Sequence, residues 1–335
     1  MNFNDNLLRA IRGEPIRAIW FMRQAGRYLS EYKKLREKYN IFEMIKNPEI
    51  SAYITKLPVD KLNVDGAILF SDITIIFEPM GIDFEIVENK GPVIRKVLNE
   101  DDIRNLIIIE PFESLDFVYK TIKILKSELN VPLIGFSAGP FTLAVYLIEG
   151  TRSKDFLKIK EFMLKNSTLF DLLMEKLTIN IYKFLEFQIK AGVDIIQIFD
   201  SWVGCLSPNI FKLFILKHIK NLVSKLKQYN IPIIYFSLNT YSILHILNEL
   251  DVDVISIDWR IDIGKAREIL KDKAIQGNLD PAILLADFEI IKKETMEILK
   301  SINYKHIFNL GHGILPNTPF INVKKLVDFV KEVKI

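Results

Sequence analysis

The sequence predicts a single (β/α)8 barrel over residues 1–335, and three observations carry that prediction. Eight short apolar runs alternate with helical patterns along the chain. Nearly every run hands over to a short polar or glycine-bearing segment, as the mouth of such a barrel requires. No Gly/Ser/Pro linker or low-complexity block interrupts the alternation, which favours one domain.

The runs are 18-AIWFM-22, 64-VDGAILF-70, 131-VPLIGF-136, 193-VDIIQIF-199, 231-IPIIYF-236, 252-VDVISI-257, 273-KAIQG-277 and 306-HIFNL-310. They are short and apolar on both faces, the pattern of strands buried in a parallel sheet. Between them, apolar spacing of three and four residues predicts helices over 47–63, 114–130, 155–192, 208–230, 240–250 and 322–334. Asn-Pro at 47–48 and Ser-Pro at 207–208 are start signals, and Gly192 is a stop signal. An open doubly wound sheet would need similar patterning; the count of eight favours closure. The segment 82-IDFEIVENKGPVIRKVL-98 alternates, turns at Asn-Lys-Gly and alternates again, which predicts a β-hairpin inserted after the second strand.

Composition narrows the function. Half of the chain is apolar, charged residues make up 26%, and the net charge is only +3. Lys and Glu alternate in 31-EYKKLREKYN-40 and 151-TRSKDFLKIKE-161, as on solvated helix faces. A nucleic-acid binder would show a basic face, so any affinity for a polyanion has to be local. The one cysteine, Cys205, excludes a disulfide framework and a cysteine-built metal site within one chain. No run of about 18 apolar residues argues for a membrane span, and 1-MNFNDNLLRAIRGE-14 lacks the order of a signal peptide, so a soluble cytoplasmic protein is expected.

The segments after the eight runs are 23-RQAGR-27, 71-SDI-73, 137-SAGPFT-142, 200-DSW-202, 237-SLN-239, 258-DWR-260, 278-NLDP-281 and 311-GHG-313. Loops are polar in any protein, but these hold short site-like groups in place of long exposed lysines and glutamates. Arg23 and Arg27 are paired guanidiniums directly after an apolar strand, suited to gripping carboxylates with parallel hydrogen bonds. Gly26 lets backbone approach a ligand, and the amides of Gln24, Ala25, Gly26 and Arg27 can add donors. A plain surface pair at a helix start is the other reading of the two arginines. Asp72 reads equally well as a site carboxylate or as an N-cap. Tyr146 fits a core position as well as a site, and Ser201 can cap a helix. His312, between two glycines after a strand, is a less ordinary packing residue.

The run 20-WFMRQAGRYLSEY-32 resembles the N-terminal signature of the uroporphyrinogen decarboxylase family. The resemblance continues in order through 69-LFSDI-73, 139-GPFTLAVYLIEG-150, 198-IFDSWVGCLSP-208, 258-DWR-260, 276-QGNLDP-281 and 308-FNLGHGILPNTP-319. It implies a cytoplasmic homodimer with one barrel per subunit. Such an enzyme removes CO2 from the four acetate side chains of uroporphyrinogen III to give coproporphyrinogen III in haem biosynthesis, using no metal and no cofactor. It implies that Arg23 and Arg27 hold substrate carboxylates and that Asp72 accepts from the pyrrole N–H groups and stabilises a protonated pyrrole. Tyr146, Ser201 and His312 match substrate contacts, and Phe42 and Phe199 match apolar pocket positions. One departure is 236-FSLNTYSIL-244, where the family usually has a glycine-rich turn.

Three other readings compete. A zinc-dependent corrinoid methyltransferase of the same superfamily needs thiolate and imidazole ligands, and one cysteine without a His-x-Cys pair cannot supply them. A non-catalytic tetrapyrrole-binding protein would keep the basic pocket but lose the carboxylate that Asp72 provides. A phosphate-binding barrel would use a glycine-rich loop after the last strands, and 311-GHG-313 fits that only loosely.

Overall fold

A computed structural model describes residues 3–87, 91–151 and 153–333. Among them ten strands form: β1 (Ala18–Ile19), β2 (Ala67–Ile68), β3 (Phe84–Val87), β4 (Gly91–Ile94), β5 (Leu133–Ala138), β6 (Ile195–Phe199), β7 (Ile233–Phe236), β8 (Val254–Ser256), β9 (Ala274–Leu279) and β10 (His306–Leu310). Eight of them build one parallel sheet in the order β1-β10-β9-β8-β7-β6-β5-β2. All eight apolar runs expected as barrel strands are in it.

The ends of that order, β1 and β2, meet at a seam. The Asp65 amide donates to the Ile19 carbonyl at 2.8 Å, and the Ile19 amide donates to Asp65 Oδ2 at 2.9 Å. Asp65 is fully buried, and its Oδ1 accepts from Asn4, Asn6 and Lys331. So many donors, one of them cationic, make a buried carboxylate tolerable. The seam strands are short because side chains take over their amide pairing beyond Ile19 and Ile68. Phe21 donates to Gln24 Oε1, Met22 to Asn309 Oδ1 and Phe70 to Thr55 Oγ1.

Inside the sheet, Ile134, Ile195, Ile234, Val254 and Ala274 share one buried cluster, each from a different strand. Beside them lies a polar group. Trp20 Nε1 donates to Gln276 Oε1 at 2.9 Å, and Gln276 Nε2 donates to Ser256 Oγ at 3.0 Å and Gln197 Oε1 at 3.2 Å. Crossing the interior this way links β6, β8 and β9, so the lumen is packed side chain, as in a barrel and not a pore.

The helices follow the expected spacing with informative exceptions. Asn47 caps the helix Pro48–Leu62 by accepting from Ile50, and Ser207 caps Pro208–Ile210 in the same way. Gly192 ends Ser167–Ala191 at φ 119, a left-handed conformation that glycine adopts without strain. The run expected as one helix over 155–192 is two, Leu157–Lys165 and Ser167–Ala191, because Asn166 leaves helical geometry between them. The helix expected over 240–250 shrinks to single turns at Tyr241–Ile243 and Leu244–Leu247.

The inserted segment after β2 contains an antiparallel pair, with Phe84 opposite Ile94 and Val87 opposite Gly91. The expected turn at Asn-Lys-Gly falls largely on residues 88–90, outside the described residues. The Ile94 amide donates to the Gly150 carbonyl at 2.7 Å, so β4 docks against the end of the helix Pro140–Glu149.

Candidate active site

Parallel strands bring all their C-terminal ends to one face, so the segments singled out by sequence gather around one mouth. The first of them starts at the seam. Gln24 is buried, its carboxamide accepting from the Phe21 amide and donating to the Gly66 carbonyl at 3.0 Å. Its own amide donates to the Phe21 carbonyl, and Tyr28 Oη donates to its carbonyl at 2.6 Å. Burial raises the Tyr28 pKa, so the phenol keeps its proton for that bond. Gln24 therefore shapes the arginine loop, with its side chain and amide engaged in the fold.

Arg23 sits in the left-handed region at φ 56, unusual for a residue other than glycine. Its side chain lies across Gly313. A Cβ on that glycine would come within 2.4 Å of Arg23 Cδ, which gives the second glycine of 311-GHG-313 a physical reason. The amide of Ile314 donates to the Met22 carbonyl at 3.0 Å and ties the two loops together. Both Arg23 and Arg27 are exposed at this rim, while Ala25 and Gly26 are half-buried between them.

His312 follows. Its Nδ1 accepts the Gly313 amide at 2.7 Å, so the neutral ring carries its proton on Nε2. The ring packs edge-on to Phe236 at 6.0 Å, Phe236 meets Phe199 at 5.6 Å, and Phe199 meets Phe136 at 5.5 Å. This aromatic row runs from the arginine loop across the ends of β7, β6 and β5. The structure thus links Arg23, His312 and Phe199 through neighbouring contacts, with the buried Phe236 between His312 and Phe199.

Asp72 follows β2. Its Oδ1 accepts from the amide and the hydroxyl of Thr74, at 2.8 and 2.5 Å. That is a local turn onto Thr74, which itself precedes the helical turn Ile75–Phe77, so Asp72 is not the N-cap the sequence allowed; the contact fixes the carboxylate's orientation without burying the residue. Phe70 is locked beside it: its amide donates to Thr55 Oγ1 and its carbonyl accepts from Ser51 Oγ, both at 2.8 Å. Phe42 joins a separate aromatic group, meeting Phe84 at 5.4 Å, which in turn meets Phe77 at 5.5 Å. Phe42 therefore packs on the antiparallel pair and not on the Phe199 row.

Tyr146 is buried, 6% exposed, on the helix Pro140–Glu149. A carboxylate that sequence reasoning passed over positions that helix. Asp200 is fully buried, its Oδ1 accepting from the Thr142 amide and hydroxyl at 2.9 Å each and its Oδ2 from Tyr235 Oη at 3.1 Å. Gly139 has no room for a side chain, because a Cβ would stand 2.3 Å from Asp200 Cγ. Burial pushes the Asp200 pKa up to about 6, against the lowering effect of the hydrogen bonds from Thr142 and Tyr235. Its place in 200-DSW-202 was visible; its partners, a helix start and a neighbouring strand, were not.

Ser201 follows directly and lines a cleft of about 420 Å³ together with Trp202 and Asn239. Asn239 explains the departure in 236-FSLNTYSIL-244. It takes φ 56, the conformation a glycine would take, and its amide donates to Asp258 Oδ2 at 2.7 Å. Asparagine is among the few other residues that tolerate this backbone, so the tight turn survives without glycine. Asp258 also binds Arg260 at 2.6 Å, and that guanidinium stacks 4.1 Å from the Trp259 ring centroid. No group of three His, Cys, Asp or Glu side chains among the described residues is placed to hold a metal ion.

A family model described as uroporphyrinogen decarboxylase (URO-D) matches residues 2–333. The chain belongs to the uroporphyrinogen decarboxylase family. It is 47% identical to a uroporphyrinogen decarboxylase of Thermus thermophilus, covering 98% of each chain. It is 48% identical to the uroporphyrinogen decarboxylase of Thermodesulfovibrio yellowstonii, again over 98% of each. Among solved structures, a methyltransferase from Methanosarcina mazei superposes with a TM-score of 0.84 over 99% of both chains at 22% identity. That likeness shows the barrel fold that the decarboxylase family shares with it, and nothing of its chemistry.

Proposed function

We propose that this chain is a uroporphyrinogen decarboxylase acting through the mouth described above. The substrate is a flexible macrocycle with eight carboxylates on its rim. Arg23 and Arg27 grip carboxylate arms, the half-buried Phe199 supplies an apolar contact backed edge-on by Phe136 and Phe236, and the Nε2–H of His312 donates to an oxygen of the substrate. Each step replaces one carboxylate by a proton. Protonation of a pyrrole carbon makes the ring cationic, the bond to the carboxylate breaks, and its electron pair returns to the ring as CO2 leaves. A second proton, delivered to the exocyclic carbon, and loss of the first leave a methyl group.

Asp72 is the residue assigned to the cation. A carboxylate beneath the pyrrole N–H groups gains more from the charged ring than from the neutral one, which lowers the barrier by differential binding. Tyr146 and Ser201 hydrogen-bond substrate carboxylates, Gln24, Ala25 and Gly26 shape the arginine loop, and Phe42 supports the pocket from the antiparallel pair it packs on. The whole chain forms one catalytic domain, works as a homodimer in the cytoplasm, and needs no added metal or cofactor; among the described residues no helix is long and apolar enough to cross a membrane.

The observation that carries this reading is the seating of Arg23 on Gly313 beside His312, at the end of an aromatic row, in a chain of this family. The test is direct. Purified protein given uroporphyrinogen under anaerobic reducing conditions yields coproporphyrinogen without added metal or cofactor. Folded protein that forms no product overturns the proposal.

A further inference from the structure

Arg23 stands beside Gly313 at the His312 end of the aromatic row. Past the ends of β6 and β7, directly after Phe199 and Phe236 in the chain, lies the cleft of about 420 Å³ beside Ser201. Its lining includes one cationic side chain, Lys154, with Ser153 and Ser201 hydroxyls nearby and Phe156 and Trp202 as an apolar wall. We propose that Lys154, supported by Ser153 and Ser201, is a second carboxylate-binding point, taking an acidic arm of the macrocycle other than those held by Arg23 and Arg27.

The local build points to a ligand. Phe156 sits at φ 55 and ψ 39, a left-handed conformation that a bulky aromatic residue adopts only under constraint. It is 8% exposed, so the strain is held by packing: its ring lies 5.4 Å from that of Trp202, and its amide donates to Ser153 Oγ at 3.0 Å. Strain of this kind costs about 1–3 kcal/mol and persists where surrounding structure enforces it, often at ligand clamps. Here it turns the chain sharply between the helices Pro140–Glu149 and Leu157–Lys165 and puts Ser153 and Lys154 on the cleft rim. Across the cleft, Asn239 is also left-handed, and Gly204 is pressed so close that a Cβ would stand 1.9 Å from the Leu238 carbonyl oxygen.

Glu149 accepts the Ile159 amide at 3.0 Å, Asp200 is buried under Thr142 and Tyr235, and Asp155 is exposed beside Lys154. Burial pushes the Cys205 thiol up to about 11, so it serves the cleft as a neutral wall. A disc with carboxylates around its rim calls for cations at more than one point of the mouth. A ligand with a single acidic group would use only one of them.

This inference rests on the proposed macrocyclic substrate, and its test separates the two. Steady-state turnover of uroporphyrinogen is measured for wild type, Lys154→Met, Lys154→Arg and, as a surface control, Lys158→Met on the following helix. Loss of one charge-assisted contact raises KM about tenfold in Lys154→Met, with kcat within about twofold. Lys154→Arg stays near wild type, and Lys158→Met is unchanged. Affinity for the oxidised octacarboxylic macrocycle, uroporphyrin, is titrated in parallel through its own fluorescence. If wild type binds uroporphyrin but does not turn over uroporphyrinogen, the activity reading falls while the binding comparison still decides the role of Lys154. A Lys154→Met variant with wild-type KM and wild-type affinity, or a Lys158→Met variant equally impaired, overturns the proposal.

Discussion

Asp65 and Asp200, buried carboxylates at opposite ends of the barrel, are held in opposite ways. At the N-terminal end, Asp65 faces Lys331, two asparagines and a backbone amide, and it closes the seam between β1 and β2. At the C-terminal end, Asp200 has only neutral donors, from Thr142 and Tyr235. The first arrangement commits a cation to stability. The second leaves a buried carboxylate uncompensated beside the proposed site, holding the start of the Tyr146 helix against β6. What differs between these two carboxylates is the part each plays: Asp65 closes the sheet and Asp200 positions a helix.

The largest test of that contrast removes the lower carboxylate. Asp65→Ala strands Lys331, Asn4 and the Ile19 amide, and is expected to lower unfolding free energy by about 3–5 kcal/mol in denaturant titration. At the mouth the signature is reversed. Asp72→Asn is expected to lose turnover by about a hundredfold or more while the melting temperature stays near wild type. A variant that unfolds, or one with near-normal turnover, removes the cation-stabilising role from Asp72.

The next test uses pH. Asp200 has its pKa raised by burial from 3.8 to about 6, so the folded state binds a proton between those values that the unfolded state does not. Its contribution therefore improves as pH falls from 7 through 6 towards 4. At the other end, His306 is buried, donating to the Gly277 carbonyl at 2.8 Å, and burial lowers its pKa from 6.5 to about 4. Its contribution is full above pH 6.5 and is lost as pH falls towards 4. Each displacement is worth about 3 kcal/mol, so the two nearly offset between pH 4 and 6. Asp200→Asn is expected to make acid destabilisation steeper, and His306→Gln to make it shallower, in melts recorded from pH 7 to 4. Parallel curves for both variants would show that neither group titrates in that window.

The smallest effect comes from the arginine rim. Gly313→Ala forces Arg23 to leave its seat, since the new Cβ meets its Cβ, Cγ and Cδ within 2.9 Å. A KM increase of about three- to tenfold with kcat nearly unchanged is expected, as for the loss of one carboxylate contact. Stability is expected to change by no more than about 1 kcal/mol. If kcat falls instead with KM unchanged, Arg23 acts in the transition state and not in holding an arm.

Much of this was legible in sequence because its physics is local or periodic. A strand buried on both faces has to be apolar throughout, so all eight barrel runs stood out. Caps such as Asn47 and Ser207 act on amides three residues away and can be read directly. The split at Asn166 and the shortened helix after Thr240 were not legible, since packing overrode the apolar period there. Among the candidate site residues, Arg23, Arg27, Asp72 and His312 stood out by residue type next to a strand end. Asp200 and Lys154 did not, because their meaning depends on what stands opposite.

The sequence by itself determined the barrel, the family and the ring of polar segments at its mouth, because hydrophobic period and motif order are written along one dimension. Only the tertiary structure decided how those segments meet. Arg23 lies on Gly313 across 290 residues of chain, Asp200 caps a helix that starts 60 residues earlier, and Lys154 shares a cleft with Asn239. Contacts of that range depend on the closing of the sheet, which brings strand ends together regardless of their distance in sequence.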